Sequence, residues 1–167
     1  MDRDQSLREQ LAEALRAGHA HQPPSEILAA LPVALQGQAP APGLATPWQL
    51  LEHLRISQWD ILEFSRNPGH VSPRWPEGYW PPETAPADAA AWDRSVAGFG
   101  GDLQALVALA TDPARDLLAP FAYGDGQTLA REVILAAVHN AYHLGQLVTA
   151  RRMLDSWPPA TSRKPHP

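Results

Sequence analysis

Apolar positions recur along the chain at helical intervals, and the intervals are broken by proline-rich stretches. From Gln5 to His19, the residues Leu7, Leu11, Ala14, Leu15 and Gly18 fall on one stripe, which predicts a first helix. Ser25 to Leu31 predicts a short helix that stops at Pro32, followed by a loop from Gln36 to Ala45. Thr46-Pro47-Trp48-Gln49 has the form of a capping box, with Thr at the N-cap, Pro at the first helical position and Gln at the third. It opens a second long helix expected to reach Arg66, ahead of Pro68. Trp92, Val96, Phe99, Leu103, Leu106 and Ala110 mark a third, expected over Ala87 to Ala110 and weakened locally by Gly100 and Gly101. Gly124-Asp125-Gly126 reads as a turn, and Thr128 as the cap of a fourth long helix running to Leu154.

No segment alternates strictly enough for a half-buried strand, so the expectation is an all-α four-helix bundle with long Pro-rich connections. The 18 prolines change this picture only by sharpening it, because they sit between the periodic segments and not within them. At 167 residues and 44% apolar composition, the chain can bury one substantial core. A single domain over 1–157 and a Pro-rich tail over 158–167 are expected.

Cysteine is absent, which excludes disulfides, thiolate ligands and a cysteine nucleophile. Any metal must rest on His, Asp or Glu, and any thiol chemistry must use a thiol from the substrate. Net charge is −5 and the basic residues are scattered, so no basic face for a nucleic acid is expected. Met1-Asp2-Arg3-Asp4 leads into an amphipathic segment without the apolar core of a signal peptide, and no apolar run reaches membrane-spanning length. A cytoplasmic protein without a membrane partner is the expectation.

The candidate chemistry lies in the histidines. His139 and His143 are four apart on the fourth long helix, one turn from each other on the same inward face. A lone inward histidine is more often a hydrogen-bonded core residue, and an H-x-x-x-H pair alone is a weak motif. His53 strengthens it. It shares a face of the second long helix with Leu50, Ile56, Ser57, Ile61 and Phe64, so it also points inward. Three buried imidazoles would lose solvation without return unless they share a cation. His21, His70 and His166 are poorer candidates by position, whereas His19 could border the site from the end of the first helix.

Glu132, seven residues before His139, is either a base near the metal or a first-turn acid that complements the helix dipole. Asp60 reads as a salt bridge or cap, and Asn140 as a helix–helix hydrogen bond. The aromatic stretch with Trp75, Tyr79 and Trp80 is either a lid over a metal-side pocket or a loop pinned by its aromatics.

Leu51-Glu52-His53-Leu54, with His139-Asn140-Ala141-Tyr142-His143-Leu144-Gly145-Gln146, resembles the DinB/YfiT-like superfamily over nearly the whole chain. The resemblance implies a four-helix bundle, often dimeric, with a divalent metal on His53, His139 and His143. It also implies chemical diversity, including transfer or isomerisation with low-molecular-weight thiols. Three neutral ligands leave a metal its full charge and open positions, as in catalytic sites. Zn²⁺ is the default expectation, with Ni²⁺ or Fe²⁺ suited to the same imidazoles. The expected function is a metal-dependent enzyme activating water or a small thiol against a small-molecule substrate, as a hydrolase or thiol transferase. The alternative is a non-catalytic stress-response protein with a structural or vacant site. A homodimer is expected too. Ile134, Val138 and Tyr142, with Leu135 and Gly145, give the fourth helix a second apolar face, and Trp48 and Trp59 do the same for the second; the long loops are the competing cover.

Overall fold

A computed structural model describes residues 2–17 and 20–159. Six α-helices occur among them: α1 Arg3–Leu15, α2 Pro24–Leu28, α3 Val33–Gln36, α4 Pro47–Arg66, α5 Ala91–Thr111 and α6 Leu129–Met153. The four long ones, α1, α4, α5 and α6, form the bundle. Helix α4 packs on both α5 and α6, and so does α1, which puts α1 and α4 at opposite corners. The shared core is built from Leu11 and Leu15 of α1, Leu51, Leu54 and Leu62 of α4, Phe99 and Leu106 of α5, and Val133 and Leu147 of α6. No strand forms among the described residues, only an isolated bridge between Pro120 and Thr128. None of these helices is long and apolar enough to cross a membrane.

The capping box forms as the local sequence dictates. Thr46 accepts from the Gln49 amide at 3.2 Å, and the Gln49 side chain accepts from the Thr46 amide at 3.1 Å. Thr128 likewise accepts from the Arg131 amide at 3.2 Å and starts α6. Elsewhere the boundaries depart from expectation. Helix α1 ends at Leu15 instead of reaching His19, and Ala17 has a φ of 83°, outside the helical region. Helix α5 starts four residues late because Asp88 folds the chain into a turn, its carboxylate accepting from the Ala90 amide at 2.9 Å. The short helix α3 falls between Pro32 and the loop expected from Gln36, where no element was expected. Of the expected tail, Pro158 and Pro159 are described, and Pro159 is buried.

Two buried arginines tie the bundle ends together. Arg8 donates to the carbonyls of Ala110, Asp112 and Arg115 at 3.2, 2.8 and 2.7 Å, closing the C-terminal end of α5 against α1. Arg151 is fully buried and donates to Ile27 and Ala29 at 2.5 and 2.8 Å and to Ser156 at 3.1 Å. The link that matters for the site is the one along α4. The Thr46 hydroxyl donates to the Thr84 carbonyl at 2.7 Å and Tyr79 donates to Asp60 at 2.7 Å, so the 67–90 connection is strapped along that helix.

Candidate metal centre

His53 on α4 and His139 and His143 on α6 meet across the α4–α6 seam. Each turns its Nε2 toward the others: His53 Nε2 lies 3.1 Å from that of His143 and 3.2 Å from that of His139. Two nitrogens bound to one zinc at about 2.0–2.1 Å in tetrahedral geometry stand about 3.3 Å apart, so these separations suit a shared ion. Among the described residues this triad has the separation and donor set to hold a metal.

The far side of each ring decides its tautomer. His53 Nδ1 lies 2.8 Å from the Tyr79 carbonyl, and His143 Nδ1 lies 2.7 Å from the Gln146 side-chain oxygen. Both partners are oxygens that only accept, so both Nδ1 atoms carry the proton. Neutral His53 and His143 therefore face each other with bare Nε2 lone pairs and no hydrogen between them. Burial keeps them neutral. It lowers the pKa of His53, against the Tyr79 carbonyl, and that of His143, against Gln146. His139 is pushed to about 4, first by burial and then by the two neighbouring imidazoles. Its Nδ1 is buried without a protein partner. Facing lone pairs repel, and a cation between them removes the repulsion, so the donor set fits a divalent metal.

The surroundings are aromatic. Trp80 stacks flat on His53, with centroids 3.9 Å apart and planes 4° from parallel. Tyr142 meets His143 edge-on at 4.9 Å. Beside His143 opens a cavity of about 600 Å³, walled by Trp80, Tyr142, Leu44, Leu50 and Met153. Of the aromatic stretch, Trp80 alone lines this cavity. Trp75 is 71% exposed, packs on Tyr79 and does not line the cavity. Tyr79 serves through its backbone carbonyl, while its hydroxyl, bonded to Asp60, is raised to about 12 by burial and by that carboxylate. The cavity is bordered by the 40–45 loop and α6, not by α1. His19, expected at its edge, lies outside the described residues, as does His166.

Glu132 is buried in the first turn of α6 and accepts from Arg131 at 2.5 Å, not from a histidine. Burial raises its pKa, with Arg131 opposing. Seven residues of helix, about 10 Å of rise, separate it from His139. Asp60 bridges Tyr79 and His70, at 2.7 Å from each, and Asn140 donates to Gln58 of α4 at 2.7 Å, both in keeping with the structural roles expected of them. Sequence reasoning missed Gln146 and the Tyr79 carbonyl. Gln146 had a findable signal, three residues after a ligand on one helix; a backbone carbonyl has none.

The profile of the DinB superfamily matches residues 20–147. The chain belongs to that superfamily. No curated protein and no solved structure shows a significant match to it.

Proposed function

We propose that the chain is a metal-dependent enzyme of the DinB superfamily, with one divalent ion, zinc by default, on His53, His139 and His143. The observation that carries this is the pair of unprotonated Nε2 atoms of His53 and His143, 3.1 Å apart with both Nδ1 protons committed elsewhere. A divalent ion there would bring the pKa of water or of a substrate thiol toward neutrality. The chain's own residues would orient that chemistry. The Tyr79 carbonyl and Gln146 fix two imidazoles, as outer partners do in histidine metal sites. Trp80 covers one face of His53 and excludes water from it. The cavity beside His143 favours the enzyme over a structural or vacant site, because a purely structural centre needs no substrate space. Zinc titration of metal-free protein against a chromogenic chelator tests the reading. One equivalent bound, and lost in His143→Ala, supports it; no uptake refutes it.

We infer in addition a two-fold homodimer through α6. Val138 and Tyr142 are each 63% exposed and share a stripe with Ile134, also exposed. Trp59 is exposed as expected, but Trp48 is buried as part of the core and offers no outer face. Sedimentation of the wild type and of Val138→Glu checks this: a dimer that the substitution dissociates is expected.

A further inference from the structure

The cavity beside His143 narrows the substrate. Its wall carries no charged side chain: Leu44, Leu50, Trp80 and Met153 give it apolar surface, and Tyr142, neutral His143, Gln146 and Thr149 are its polar side chains. A carboxylate or ammonium placed there would be partly desolvated without an opposite charge, which is costly. A hydrocarbon or aryl group would lose little and gain contact with a large apolar surface. The volume, about 600 Å³, lies within the range of small-molecule sites. Gln146 already spends its side-chain oxygen on His143 and keeps its amide N–H groups for an acceptor in the cavity.

Resting on the metal-site reading above, we propose that the site takes a neutral substrate with an apolar tail in this cavity and a metal-binding head at the histidines. Amino-acid-like and peptide-like thiols, which carry carboxylates, do not match this wall. An apolar amide, ester or thiol does.

The test uses zinc-loaded protein and alkyl hydroxamic acids, whose head is uncharged in solution at neutral pH and gives up its proton to buffer as it chelates zinc. Aceto-, butyro-, hexano- and octanohydroxamic acids are compared with the monohydroxamate of succinic acid, by calorimetry. Affinity is expected to rise about two- to fourfold per methylene, the return of burying a CH₂. The carboxylate-ended probe is expected to bind at least about tenfold more weakly than butyrohydroxamic acid, the cost of an unpaired charge. Met153→Arg adds a cation at the exposed rim, and is expected to narrow that gap to within about threefold without changing zinc affinity. Affinity independent of chain length, equal binding of the carboxylate-ended probe, or a gap unmoved by Met153→Arg would each overturn the inference while leaving the metal reading intact. A protein that takes up no zinc overturns both.

Discussion

Helix α6 carries two buried nitrogen clusters only two turns apart, and they are opposites. At Arg151 the side chain is a permanent cation, and the chain surrounds it with the carbonyls of Ile27, Ala29 and Ser156 and the face of Trp157. At His139 and His143 the side chains are neutral, and the Nε2 atoms of His143 and His53 face each other as bare acceptors. The first cluster pairs four of its contacts with groups of the chain, leaving only Arg151 Nε without a hydrogen-bond partner, so its role is to join α2, α6 and the segment after α6. The second holds surplus electron pairs in a place that no cationic side chain of the described residues reaches. Burial therefore does not by itself separate structural from functional polar groups. The balance of donors and acceptors within each cluster does.

The sharpest way to break this comparison is to remove one member of each cluster and measure zinc. His53→Ala, His139→Ala and His143→Ala should each weaken zinc binding by at least about 100-fold, since a structural zinc site is worth about 10–16 kcal/mol over its ligands. Arg151→Met should leave zinc affinity unchanged. It should instead lower stability toward urea by about 3 kcal/mol, because three carbonyls lose a charged donor in a buried place. If Arg151→Met also abolished zinc binding in a protein that remained folded, the two clusters would not be independent.

Acid should expose the second cluster but not the first. The three histidines have folded pKa values below the ordinary 6.5, with His139 at about 4. As pH falls below 6.5, the unfolded chain takes up protons that the folded chain refuses. Their contribution is therefore intact above 6.5 and is lost as pH falls toward 4. Metal-free protein should lose about 2 kcal/mol between about pH 6.5 and 5, read from urea midpoints. His139→Gln should flatten that slope. Trp80→Ala comes next in size. Losing the stack on His53 should weaken zinc about tenfold and leave the urea midpoint within about 1 kcal/mol of wild type.

What could be read from the sequence follows from how local each signal is. The Thr46–Gln49 box and the Thr128 cap lie within four residues of the turn they start, so the beginnings of α4 and α6 were legible. The triad was legible for a similar reason: an i, i+4 pair shares a face by helix geometry alone, and His53 sits among apolar residues on another helix. Helix α3, four residues opened by Pro32, is too short to display a period. The end of α1 and the start of α5 are decided by Ala17 and Asp88, whose turns override the periodic pattern. Trp80 over His53 depends on how a long aperiodic connection lies along α4. That is decided by Thr46–Thr84, Tyr79–Asp60 and His70–Asp60 contacts between residues far apart in sequence.

The smallest expected effect on the metal is at His70, and it tests where the second cluster ends. His70 Nε2 lies 2.7 Å from Asp60 Oδ1, and the ring packs edge-on against Trp59 at 5.1 Å. It is connected to the triad only through Asp60, the Tyr79 hydroxyl and then the Tyr79 backbone, whose carbonyl fixes His53. Tyr79 keeps its own bond to Asp60 when His70 is removed, and with the Thr46–Thr84 bond that keeps the carbonyl in place. His70→Ala should therefore cost about 1 kcal/mol of stability from a lost buried hydrogen bond. It should change zinc affinity by less than about twofold, since no ligand or ligand partner is touched. A tenfold loss of zinc affinity would mean that the Asp60 bridge acts on His53 through the loop. The site would then extend from the α4–α6 seam to His70.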